Sequence, residues 1–222
     1  MLIAQAVLET SNTADFSLWP VADLPPYRFM ALSGRISSLE VGSALAILAD
    51  YNAQADDDDI PPADAGEALR GLLETDMVIA QGGLSVHDTR TDVTVRPGCC
   101  FGLEDWREWL HVAAGETVWL GHDPSPRLEH ADGVVRLWQD GADARNAPSV
   151  QPVEIVVGEL PALLRTVQED LQGFLALAEQ WAAHHVPGLA GELSARLDEG
   201  LTIGAPLVIG APLPGAPGQD GP

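Results

Sequence analysis

"ELPALLRTVQEDLQGFLALAEQWAAH", Glu159 to His184, decides the fold. Leu160, Leu163, Leu164, Val167, Leu171, Phe174, Leu175, Ala178 and Trp181 recur every three or four residues, so the stretch predicts one long amphipathic helix. Pro161 suits its first turn, where no backbone N–H is needed, and Pro187-Gly188 stops it. His184 and His185 fall in the last turn, where positive charge complements the helix dipole. A helix with a single apolar stripe must lie on something. Upstream, "DMVIAQ", "LSVHD", "VTVRP", "ETVWLGHDPSP", "RLEHA", "VVRLWQDG" and "VEIVV" read as short strands. Gly82-Gly83 and Asp132-Gly133 read as hairpin turns between them. The expectation is an α+β fold: N-terminal helices, a mostly antiparallel sheet, and the long C-terminal helix packed on one face.

Working towards the N-terminus, "SSLEVGSALAILADYN" carries a capping box, Ser37 with Glu40, ahead of an apolar face of Val41, Ala44, Leu45, Leu48 and Tyr51. Asp64 with Glu67 opens a second, shorter helix whose Ala65, Ala68, Leu69, Leu72 and Leu73 face inward. Between the two, "QADDDDIPP" is an exposed turn, because four adjacent aspartates repel one another and prolines follow. "SLWPVADLPPYRFMALSGR" is interrupted by proline, and its Trp19, Leu24, Tyr27, Phe29 and Met30 are expected to pack beneath a loop. The opening "MLIAQAVLETSN" reads as a strand and not as a signal peptide, since it has no basic leader and Gln5 and Glu9 break its apolar run. At the other end, a short helix carries Leu189, Leu193 and Leu197. Beyond it "IGAPL" occurs twice before "PGAPGQDGP". Residues 1–200 are therefore read as one domain and residues 201–222 as a Pro/Gly-rich extended or disordered tail.

Composition narrows the chemistry. All 11 basic residues among the 222 are arginine, so Schiff-base chemistry, pyridoxal phosphate attachment, the P-loop lysine and the kinase lysine are excluded. Against them stand 33 acidic residues, for a formal charge of −22. Nucleic acid and anionic membrane surfaces are thus not expected as ligands, whereas a basic protein would be drawn in by long-range attraction. No apolar run approaches the ~20 residues of a membrane span, and a cytoplasmic location is expected.

"RPGCCFGLEDWREWLHV", Arg96 to Val112, holds both cysteines of the chain. Adjacent Cα atoms lie about 3.8 Å apart, below the usual disulfide range, so Cys99 and Cys100 are read as free thiols. They lack the Cys-x-x-Cys spacing of a zinc site, and no metal or cofactor is expected. A helix starting at Leu103 after Gly102 would lower a thiol pKa, but Glu104 and Asp105 in its first turn oppose a thiolate. Leu103, Trp106, Trp109, Leu110 and Ala113 repeat at helical spacing. The tryptophans are therefore expected to be core anchors beside small buried thiols. In "GHDPSP", His122 next to Asp123 has the look of an acid/base pair, but the flanking prolines favour a turn in which Asp123 caps backbone amides.

"DLPPYRFMALSGR" resembles the Leu-Pro, Tyr, Phe and Gly pattern of the SUKH superfamily of bacterial immunity proteins, and the run from "WLGHDPSP" through "DGVVRLWQDG" to "LQGFLALAEQW" is similar to that family's strands and closing helix. The resemblance implies an α+β protein that binds and neutralises a toxin domain without enzymatic activity. Acidity points the same way, and the leading expectation is an acidic protein-binding module with a basic partner. Its contact residues are expected to be Asp56, Asp57, Asp58 and Asp59 with the exposed helix face of Glu104, Asp105 and Glu108. Two alternatives stand beside it: a small hydrolase using Cys99 or Cys100 with His111 or His122, and a structural or regulatory protein whose charge serves solubility.

Overall fold

Strand β1 (Leu2–Glu9) is the hub of the larger sheet. It pairs antiparallel with β2 (Phe29–Ala31) on one side and β3 (Gly82–Asp88) on the other, and β4 (Val93–Val95) extends the order to β2-β1-β3-β4. Alternation along β1 sends Ala4, Ala6 and Leu8 inward, in register with Val86, Leu84 and the β2 residue Met30, all of them buried. The computed structural model describes residues 1–13, 15–53, 61–140 and 151–208. Among these, five α-helices and two antiparallel sheets make an α+β fold, as the sequence predicts.

Helix α1 (Ser38–Tyr51) begins at the expected capping box, with Ser37 Oγ accepting from the Glu40 amide and Glu40 Oε2 accepting from the Ser37 amide. Every residue from Val41 to Ala49 is buried, because small residues on the second face admit another layer. A Cβ on Gly42 would lie 2.3 Å from the Pro20 carbonyl oxygen, and the Trp19 indole donates to the Gly42 carbonyl at 2.8 Å. The Pro-interrupted stretch thus packs on α1 through Trp19. Tyr27, expected to join it, is instead 80% exposed, held outward by a left-handed backbone at φ 57°. Helix α2 (Ala65–Glu74) is capped by Asp64 Oδ1, and buries Leu69 and Leu72.

The Gly82-Gly83 pair is not a turn. It opens β3, with Gly82 opposite Leu8 and Gly83 opposite Val7, while the preceding "DMVIAQ" stays irregular. Close approach explains the glycines: a Cβ would fall 2.1 Å from the Val7 carbonyl oxygen at Gly82, and 2.7 Å from the Phe101 ring at Gly83. Asp132-Gly133 is a turn, at φ 50° and 81°, the left-handed pair of a two-residue hairpin. It joins β5 (Arg127–Ala131) to β6 (Val134–Trp138), and β7 (Val153–Val156) completes the second sheet. Leu128, Val135, Leu137, Val153 and Ile155 bury one side of it in the common core.

After β7 come α4 (Leu160–His185) and α5 (Ala190–Leu201). Helix α4 lies across β1 beside α1 and α5, with Leu164, Val167, Leu171, Phe174, Ala178 and Trp181 buried along the predicted stripe. Gly173 lets it touch the chain after β2 backbone to backbone, at Gly34. The packed region runs past residue 200. Ile203 is fully buried, and the Arg107 guanidinium donates to the Thr202 and Pro206 carbonyls while the Gln168 amide donates to those of Ile203 and Ala205. Residues 209–222 of the expected tail lie outside the described residues.

Candidate functional site

The expected helix after Gly102 is a 3-10 turn over Leu103–Glu108 followed by one turn of α-helix, α3 (Trp109–Ala113). Leu103, Trp106, Trp109 and Leu110 are core residues, and the Trp106 indole donates to the Leu201 carbonyl that ends α5. The thiols do not share that burial. Phe101 fills the space over Gly83, which leaves Cys99 half-buried at the surface and Cys100 exposed at a left-handed φ of 64°.

What holds this turn is a contact between two glycines distant in sequence. A Cβ on Gly121, which sits at φ 100°, would lie 2.6 Å from the carbonyl carbon and oxygen of Gly98. With both Cβ atoms absent, the Gly98 amide donates to the Leu120 carbonyl at 2.8 Å. Cys99 and His122 then exchange backbone hydrogen bonds of 2.6 and 3.1 Å. The stretch "ETVWLGHDPSP" forms this bridge and no strand. As a result the donor atoms of Cys99, Cys100 and His122 all lie within 4.8 Å of one another, with the two sulfurs 3.3 Å apart. Asp123 does not act as a backbone cap here; its Oδ2 sits 3.1 Å from His122 Nδ1.

Aromatic and acidic side chains surround the cluster. Trp119, 57% exposed, lies between Phe101 and His122, edge-on to the first and tilted to the second, its ring centroid 6.3 and 6.4 Å from theirs. On the other side, the Tyr51 hydroxyl donates to Gln81 Oε1, and Gln81 Nε2 donates to Glu9 Oε2 at 2.7 Å. Burial pushes the Tyr51 phenol above its usual range, helped by the charges of Glu9 and Asp50 and by Cys99 and Tyr27 nearby. The Cys99 thiol is also pushed up, first by its hydrogen bond with Cys100, then by burial and by the Glu9 carboxylate. Tyr51 thus lies within electrostatic reach of Tyr27, Cys99, Glu9 and Asp50, and the cysteine turn adjoins His122 with Asp123 and Trp119 beside it.

The other predicted site residues are dispersed. Asp56, Asp57, Asp58 and Asp59 lie outside the described residues. Asp105 and Glu108 are exposed as expected, although neighbouring atoms desolvate the Asp105 carboxyl enough to push it upward. Glu104 is not on the exposed face. Its carboxylate folds back over Gly102 to accept the Ala80 amide at 2.9 Å, and burial pushes its carboxyl above the glutamate range despite that bond. His111 pairs with Glu116 at 3.3 Å instead of with a cysteine. The two sulfurs are hydrogen-bonded to each other, and among the described residues no cysteine sulfur is hydrogen-bonded to an imidazole. A cleft of about 340 Å³ beside Phe16 and Asp50, and another of about 500 Å³ beside Arg28 and Arg35, contain no cysteine or histidine. Among the described residues, no helix is long and apolar enough to cross a membrane. No protein-family model matches the chain, and neither does any curated protein or solved structure.

Proposed function

We propose that this chain is an acidic, non-enzymatic, cytoplasmic protein-binding module whose partner is a basic protein, and that the partner docks on Tyr27, Tyr51, the cysteine turn, His122 and Trp119. The observation that carries this reading is the exposure of large aromatic side chains within an acidic surround. Tyr27 is 80% exposed and Trp119 57%. Aromatic anchors of this kind supply most of the affinity in protein interfaces, while charges at the rim set the rate of encounter. A toxin domain with a basic nucleic-acid-binding face has the right chemistry, which is the immunity-type form of the proposal. The hydrolase alternative draws on the same residues, but a raised Cys99 thiol and the absence of a sulfur–imidazole hydrogen bond oppose it.

The test is capture of partners from native lysate at low salt, followed by stopped-flow kinetics on the protein recovered. Trp119→Ala is expected to raise the dissociation rate about 10–100-fold, the loss of one anchor. Changing Asp56 to Asp59 to asparagine is expected to slow association and weaken its salt dependence while leaving dissociation nearly unchanged. An acidic partner, or a dissociation rate indifferent to Trp119, sinks the proposal.

A further inference from the structure

We propose that Cys99, Cys100 and His122 bind one zinc ion, with a water molecule in the fourth position. The inference stands apart from the partner proposal and rests on the geometry of the bridge. Sequence spacing argued against a metal because the cysteines are adjacent and the histidine is 22 positions further on. The Gly98–Gly121 contact removes that objection by clamping the two segments face to face.

Three donors within 4.8 Å suit a Cys₂His set. A tetrahedral zinc with Zn–S bonds of ~2.3 Å separates its sulfurs by about 3.8 Å. Cys99 and Cys100 stand at 3.3 Å, so a few tenths of an ångström of side-chain rotation opens the required bite. The Asp123 carboxylate on Nδ1 is the outer partner that metal-bound histidines commonly have, and it leaves the imidazole lone pair on Nε2. Cys100 is held left-handed at φ 64°, a conformation unfavourable for a non-glycine residue, and the second sulfur stands beside the first. Two thiolates and an imidazole favour zinc over magnesium or calcium, which prefer oxygen. As the two S–Zn bonds form, both thiol protons leave to solvent, and the negative charge of Glu9 near Cys99 and of Asp123 on His122 favours the incoming cation.

The full chain, reduced and freed of metal, is titrated with Zn²⁺ against a chromophoric chelator at pH 7, with Co²⁺ as the spectroscopic substitute. One equivalent is expected, together with a thiolate-to-cobalt charge-transfer band and protection of both thiols from alkylation by bound zinc. Cys100→Ser and His122→Ala are each expected to weaken binding at least about 100-fold, and Asp123→Asn about 10-fold. The side chains of Cys100, His122 and Asp123 are exposed, so these variants should keep the wild-type unfolding midpoint. Should one of them unfold, alkylation of the wild-type chain with and without zinc still decides the matter. Cobalt bound without a charge-transfer band, thiols alkylated equally fast with zinc present, or folded variants that bind within threefold of wild type would each overturn the proposal.

Discussion

Replacing Gly173 by alanine sets two effects of known size against each other. In a helix interior, alanine is favoured over glycine by about 1 kcal/mol, so on propensity alone Gly173→Ala stabilises α4. The neighbourhood reverses the sign. The new methyl carbon would lie 2.7 Å from both Cα and N of Gly34, against an ordinary carbon–carbon contact of ~3.5–4.0 Å. Those obstructing atoms are backbone, so no rotamer change relieves the overlap. The helix must instead retreat by about 1 Å, taking buried Leu171 and Phe174 with it. Overpacking of this kind costs about 1–3 kcal/mol. With the upper half of that range expected for a backbone clash, the net loss is about 1–2 kcal/mol. Urea unfolding followed by tryptophan fluorescence should show a lower midpoint at unchanged slope. Gly191→Ala near the start of α5, where a Cβ meets nothing within 4 Å, is the control and should be neutral or stabilising. A Gly173→Ala protein as stable as wild type would refute the claim that α4 is seated by backbone contact.

Glu104→Gln should stabilise the protein at neutral pH. Burial raises the folded-state pKa of Glu104, so the folded chain holds that proton more tightly than the unfolded chain does. The associated stability is full below the unfolded value near ~4.3 and is lost as pH rises through the folded value. Glutamine keeps an acceptor for the Ala80 amide without the charge. Its advantage over wild type should be present at pH 7 and shrink towards pH 4; an advantage independent of pH would count against this account. Arg107→Ala should cost about 1–2 kcal/mol through the lost charge-assisted bonds to the tail carbonyls, and limited proteolysis should cut after Thr202 more readily than in wild type. Unchanged cleavage there would show that Arg107 does not hold the tail.

Much of the fold was legible because helices and tight turns are decided within a few residues. The Ser37–Glu40 box, the Asp64 cap, the nine-residue stripe of α4 and the Asp132-Gly133 turn all depend on neighbours no more than four positions apart or on a strict period, and each lies where the sequence places it. Net charge is legible for the same reason, since it is a sum that needs no coordinates. Gly82-Gly83 shows the limit. Glycine marks either a turn or a place where another backbone comes close, and only the position of Val7 and Phe101 chooses between them. The candidate site was legible only as residue types: two cysteines and a His-Asp step. Its geometry comes from contacts between residues 20 or more apart, Cys99 with His122 and Ala80 with Glu104 among them. Exposure has the same origin. Tyr27 read as core by its chemistry and Trp119 only as part of a strand, but whether an apolar side chain is buried depends on whether another element arrives to cover it, and chain segments that far apart are brought together by the tertiary fold alone.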